Sequence, residues 1–208
     1  MNCKITDKEG YSMSVYIKNQ PIADADKIVL DKVNWGFTEY IPYVYAKVVY
    51  DNSGFEVEFV TKEVNPLREK TEHQGDIAQD SCVEFFVNFD PENTNEYINF
   101  EVNANGAMRA DIRTDRFNYK HLTLEEIDGL NIEAKIEDEF WSAKYKIPME
   151  LIKKYYPNFD ISKCKYIKGN MYKCGSKTKI RHYMTLFELK CEKPDFHRPE
   201  YFGIINLI

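Results

Sequence analysis

Val83-Glu84-Phe85-Phe86-Val87-Asn88-Phe89, then Asp90-Pro91-Glu92-Asn93-Thr94-Asn95, then Tyr97-Ile98-Asn99-Phe100-Glu101-Val102-Asn103, is the stretch that decides the fold. Successive side chains of a strand point to opposite faces. Val83, Phe85, Val87 and Phe89 therefore share one face, and Ile98, Phe100 and Val102 share one face of the next strand. The polar run between them, with its proline and asparagines, reads as the turn of a hairpin. Asn105-Gly106 turns the chain again into Met108, Ala110 and Ile112, which also alternate.

The pattern extends in both directions. Toward the N-terminus, Val44 to Tyr50 reads as a strand, Asp51-Asn52-Ser53-Gly54 as a hairpin turn, and Phe55, Val57 and Phe59 as the return strand. Ile28 to Val33 is a short apolar run, and Tyr11, Met13, Val15 and Ile17 alternate with polar neighbours. Toward the C-terminus, residues 114 to 130 read as a long polar loop. Ile132, Ala134 and Ile136 resume the alternation, and Trp141, Ala143, Tyr145 and Ile147 form a strand ended by Pro148. Met149 to Tyr156 predicts one short helix, stopped by Pro157. Ser162 to Lys173, Tyr183 to Leu189 and Phe202 to Leu207 supply the last strands. Many short strands with turns between them predict an all-β antiparallel sandwich of two sheets, of the jelly-roll or immunoglobulin-like kind. Without a linker or repeat, the expectation is a single domain over residues 1–208.

Composition narrows the function. The chain has 208 residues, 15 Tyr and 13 Phe, and a formal charge of -6 with no basic block. That argues against a nucleic-acid surface. Its apolar runs are too short for a membrane span, and the N-terminus lacks a signal-peptide core, so the expected location is cytoplasmic for the sequence as it stands, or secreted where a leader has been removed. The five cysteines, Cys3, Cys82, Cys164, Cys174 and Cys191, contain no CxxC pair and no zinc-ligand spacing, so no metal or cofactor is expected. Cys164 and Cys174 are a conceivable disulfide in an oxidising compartment. The Pro91-to-Glu96 turn offers oxygens that could hold a structural calcium, although a plain turn accounts for it.

Opposite the apolar face lie Glu84 and Phe86, then Tyr97, Asn99 and Glu101, then Arg109, Asp111 and Arg113. A face carrying carboxylates, amides, guanidiniums and aromatic rings suits a sugar, whose rim offers hydroxyls and whose ring faces offer C–H groups. The plain alternative is an exposed polar sheet with cross-strand pairs, such as Glu84 with Arg109.

Several motifs resemble the family 9 carbohydrate-binding modules, in particular a family 9-like branch related to DOMON-like β-sandwiches. These are Asp80-Ser81-Cys82-Val83-Glu84-Phe85-Phe86, Tyr97 to Asn103 with Gly106, and Phe140-Trp141 to Ile147-Pro148. They continue with Gly169-Asn170-Met171-Tyr172-Lys173-Cys174-Gly175 and Lys193-Pro194-Asp195-Phe196-His197-Arg198-Pro199-Glu200-Tyr201-Phe202-Gly203. The resemblance spans about residues 26 to 208. It implies a noncatalytic module whose ligand is a terminal sugar held between aromatic rings, with Glu84 and Asn170 as polar contacts and Phe196 in place of a stacking Trp. The sequence departs from the family at Ile77, where the first stacking Trp falls, at Glu101, where an Arg falls, and at Thr185-Leu186, where Ser-Trp falls. The candidate site is thus Glu84, Asn99, Arg109, Asn170, Tyr172 and Phe196, with Tyr172, Tyr97 or His73 as a second platform. Trp35 and Trp141 read as core.

Two other classes are open. Glu84 and Glu101, on neighbouring strands, could act as a glycosidase pair on O-glycosyl bonds. A DOMON-like haem or small-molecule binder would need an axial His or Met in a pocket, but Met108 and Met171 fall on core faces. His182 and His197 lack a paired ligand spacing.

Overall fold

The computed structural model describes residues 14–208. Tyr11 and Met13, assigned to the first strand, and Cys3 lie outside them. The strands are β1 (Ser14–Ile17), β2 (Ile28–Val29), β3 (Lys32–Val33), β4 (Tyr43–Asp51), β5 (Gly54–Lys62), β6 (Cys82–Asn88), β7 (Tyr97–Asn103) and β8 (Met108–Arg113). They continue with β9 (Tyr119–His121), β10 (Glu133–Ile136), β11 (Phe140–Pro148), β12 (Tyr166–Gly175), β13 (His182–Thr185) and β14 (Gly203–Leu207). Two helices, α1 (Leu124–Asp128) and α2 (Met149–Tyr155), interrupt them. Neither is long and apolar enough to cross a membrane.

The strands form an antiparallel β-sandwich. One sheet runs β10-β11-β5-β4-β2. The other has nine strands in the order β1-β14-β12-β6-β7-β8-β9, and β13, joined to β3, shares an edge of β12 with β14. Within this sheet β1 pairs in parallel with β14.

The period-2 reading of the apolar residues holds. Phe55, Val57 and Phe59 of one sheet meet Val83, Phe85, Val87, Ile98, Phe100 and Val102 of the other in one buried cluster. Trp141, Ala143, Tyr145 and Ile147 close it, as do Met108 and Met171. Full burial of each large apolar side chain contributes roughly 1.5–3 kcal/mol, so this cluster sets the register of both sheets. The β4–β5 turn depends on Gly54, whose φ is 136° and whose Cβ would strike the carbonyl of Ile147.

Three expectations change. Residues 114 to 130 are not an irregular loop, since they contain β9 and α1. Thr123 accepts a bond from the Glu126 N–H while the Glu126 carboxylate accepts one from the Thr123 N–H, a capping box that starts α1. Cys164 and Cys174 cannot pair. The extended β12 separates them by roughly 20 Å or more at about 3.3 Å per residue, far beyond disulfide reach. Finally, the second face of β6, β7 and β8 is covered rather than open. Every residue of β6 and β7 is buried, because the 67–80 loop, the Trp35 turn and the 186–202 segment cross that face.

The β6–β7 turn closes on itself. Asn88 Nδ2 donates to the Thr94 carbonyl, and the Asp90 carboxylate accepts from Asn93 Nδ2.

Candidate functional site

Strand register arranges the covered face as rows across the sheet. Cys174, Cys82 and Asn103 stand opposite one another on β12, β6 and β7. The next row is Tyr172, Glu84, Glu101 and Arg109, reaching onto β8. The third is Asn170, Phe86, Asn99, Asp111 and His121, the last on β9. A cavity of about 450 Å³ opens above the first two rows. That volume lies within the roughly 300–1,000 Å³ usual for small-molecule sites. Glu84, Glu101 and Arg109 contribute to its floor, and Trp35, Tyr183 and Phe196 form an aromatic wall. Arg113, Arg116 and Tyr119 border the other side.

The floor carries unusual electrostatics. Glu84 is 2% exposed and Glu101 4% exposed, and they face each other across neighbouring strands. Burial, reinforced by the Glu101 charge, pushes the Glu84 carboxyl well above the ordinary range. Burial also raises Glu101, to about 7, against the pull of Arg109 and Arg113. Glu84 is thus held as the neutral acid, able to donate one hydrogen bond and accept others. Arg109 and Arg113 are steadied by Asp111, which receives Arg109 Nε at 3.0 Å and Arg113 Nη2. Asp111 is held below its usual range by these partners against its own burial. Both guanidiniums lie over the Tyr119 ring, Arg113 at 4.2 Å from its centroid.

The wall is delivered by the segment before β14. Phe196 stacks on Tyr172 with centroids 4.2 Å apart and planes 13° apart. Tyr172 also donates its hydroxyl to the Phe196 carbonyl at 3.2 Å. Trp35 meets Phe196 at 5.6 Å and Tyr183 edge-on at 5.2 Å, and its indole N–H donates to the Cys191 carbonyl. Asp195 latches the segment to the β8–β9 hairpin through Arg116 at 2.8 Å. His197 packs on Phe86 and bonds the Tyr97 hydroxyl through Nδ1. Burial and then Arg113 lower its pKa to about 3, so it stays neutral.

The structure divides the expected site residues. Glu84, Arg109 and Phe196 line the cavity. Asn99 and Tyr172 sit one layer beneath it. Asn99 donates to Glu101 at 2.9 Å and accepts from Arg113 Nε, fixing both side chains, while Tyr172 is the base on which Phe196 rests. Asn170 belongs elsewhere. Fully buried, it donates to the Phe187 carbonyl and accepts from the Phe187 N–H, clamping the 186–189 segment to β12. Neither Tyr97 nor His73 is an open platform. Tyr97 is enclosed under His197 and Phe202, and His73 Nδ1 accepts from the Met108 N–H. The supposed Glu84–Arg109 pair does not form, because Glu101 stands between them in the row.

A family model for carbohydrate-binding family 9 matches residues 19–207. The chain belongs to carbohydrate-binding family 9. Solved structures share its fold. A candidate carbohydrate-binding protein from Bacteroides uniformis superposes with a TM-score of 0.79 at 24% identity, covering 96% of this chain and 100% of that one. A family 9 module from Caldicellulosiruptor kristjanssonii in complex with glucose superposes with a TM-score of 0.63 at 12% identity, covering 94% and 95%. The same kind of module with cellotriose gives 0.63 at 11% identity, covering 93% of each chain. Comparison with curated proteins gives no match.

Within the family 9 sandwich, several motif residues prove to be braces. Asp80 accepts from the Glu69 and Lys70 N–H groups and from Asn103 Nδ2, so it pins the 67–70 loop. Ile77 lines the cavity at the position where the resemblance places a stacking Trp, and Trp35, expected in the core, instead lines the cavity, while Trp141 is in the core as expected. Trp35 has a left-handed φ of 58° and is followed by Gly36 at 72°. Only the fold brings it beside Phe196, about 160 residues later in the chain. Arg113 was visible on the correct face by alternation. Arg116, Tyr119 and His197 carried no signal in period or spacing.

Proposed function

We propose that the cavity binds the terminal sugar residue of a short glycan without cleaving it. The observation that carries this reading is the pairing, in one cavity, of an aromatic wall with a floor that mixes two buried carboxyl groups and guanidinium groups. Phe196 and Trp35 supply apolar surface for the C–H faces of a pyranose. Glu84, Glu101 and Arg109 supply donors and acceptors for its hydroxyls. Asn99 and Tyr172 act as positioning residues. Family membership supports the same class of ligand, and the C. kristjanssonii modules carry glucose and cellotriose.

Hydrolysis is disfavoured on geometry. A glycosidase places its acid and its second carboxylate on either side of the scissile bond. Here Glu84 and Glu101 stand side by side on one floor.

Calorimetric titration with glucose and cellotriose, beside a glycan array, tests the reading. Saturable binding without new reducing ends is expected, weakened about tenfold or more by Phe196→Ala. Full affinity in that variant, or no binding to any glycan, rejects it.

A further inference from the structure

The first row of the covered face holds two thiols and, two residues along β6, a carboxyl. Cys82 and Cys174 are directly opposed on antiparallel strands, and Glu84 projects from the same face as Cys82. One donor atom from each, Sγ, Sγ and a carboxylate oxygen, lies within 4.8 Å of the others, and all three side chains are buried. Cys82 Sγ is 3.4 Å from Glu84 Oε1.

These separations suit a small tetrahedral ion. With Zn–S near 2.3 Å and Zn–O near 2.0 Å, tetrahedral geometry requires edges of about 3.8 Å between sulfurs and about 3.5 Å between sulfur and oxygen. Thiolates select zinc over calcium or magnesium, which take oxygen ligands. Glu84 and Cys174 line the cavity, which provides an entry path and a free fourth position.

Sequence spacing could not reveal this set, because strand pairing rather than a CxxC turn brings the thiols together. Charge supports it as well. Lys173, the nearest buried cation in sequence, points to the opposite side of the sheet and is engaged there by Glu63. On the cavity side no Lys or Arg bonds the two thiols or Glu84 among the described residues.

We propose that Cys82, Glu84 and Cys174 form a three-ligand zinc site on the cavity floor, with the fourth position open to the cavity. The site does not depend on the sugar reading, although it shares Glu84 with it. Bound zinc would draw that carboxyl away from a sugar hydroxyl.

The test uses the full chain, reduced and stripped of metal, without sugar. Titration with Zn²⁺ against a chromophoric chelator is expected to show one equivalent bound. Titration with Co²⁺ is expected to show sulfur-to-cobalt charge-transfer absorption with the d–d bands of a tetrahedral ion. Cys82→Ser and Cys174→Ser are each expected to lower zinc affinity by about a hundredfold or more, and Glu84→Gln by about tenfold. The cobalt spectrum of the parent protein answers the question even if a serine variant folds poorly. Substoichiometric uptake, a cobalt spectrum without thiolate bands, unchanged affinity in folded serine variants, or a Cys82–Cys174 disulfide that resists reduction each overturns the site. Sugar binding measured separately leaves the two readings distinguishable.

Discussion

Glu63 and Glu84 are both buried carboxyl groups, on opposite sides of the nine-stranded sheet, and their surroundings differ. Glu63 lies inside the sandwich, where Lys173 Nζ approaches at 3.2 Å, Trp141 Nε1 donates at 2.8 Å and the Ser81 hydroxyl donates as well. Lys173, fully buried, also bonds Ser81 Oγ, the Cys174 carbonyl and His182 Nε2. Despite its burial, Glu63 is held below the usual carboxylate range by Lys173 and these donors. Glu84 has no such cation and faces another carboxyl, so it is pushed upward. Burial alone therefore does not set a carboxyl's state. A compensated one acts as a brace, whereas an uncompensated one is a stored demand for a ligand.

The comparison breaks most visibly at Lys173. Lys173→Met leaves Glu63 uncompensated and is expected to cost about 3–5 kcal/mol in urea unfolding, while sugar affinity per folded molecule stays near the parent value. Adding Glu63→Gln should recover part of the loss. Parental stability in the single variant would mean that the pair is no brace.

A second test uses pH. Burial, then the Lys173 charge, lowers the His182 pKa to about 4. The unfolded chain takes up the proton near pH 6.5 and the native one only near pH 4. Stability from His182 is therefore present above pH 6.5 and is lost as pH falls toward 4, by about 3 kcal/mol in all. Glu63, with its lowered pKa, adds loss of the same sign below about pH 4.5. Glu101 acts oppositely. Raised to about 7, it binds its proton earlier in the native state, so acidification relieves it. Unfolding curves of the parent and His182→Gln, compared between pH 7 and 4, should converge as pH falls. Parallel curves would remove His182 from the account.

The smallest effect sharpens the other side. Glu84→Gln keeps both the shape and the neutral state of the buried group, so stability should stay within about 1 kcal/mol of the parent. Sugar affinity should fall about tenfold by calorimetry. A large stability loss with intact affinity would reverse the two roles.

The sequence showed the sandwich wherever one strand face is apolar and the other polar, as in β5, β6, β7 and β11. It showed less where both faces are covered. Glu84, Asn99 and Glu101 alternate like residues of an open face, since period 2 reports which residues avoid the core and not what lies over them. Lys173 was the hardest to read, a charged residue on a core-facing position, whose counter-charge, Glu63, lies more than a hundred residues earlier. The α1 helix was legible in principle, because Thr123-Leu124-Glu125-Glu126 spells a capping box inside a stretch that otherwise looks irregular. Trp35 and Phe196 met through loops, where no periodicity operates.

The cavity draws its base from laddered strands and its aromatic side from a strap tied down by Asp195, Tyr172 and the Trp35 indole. Exchange of a few residues between Pro194 and His197 would reshape what a ligand meets while leaving every rung of the sheet intact. Such a scaffold can change its preferred guest by editing its lining rather than by refolding.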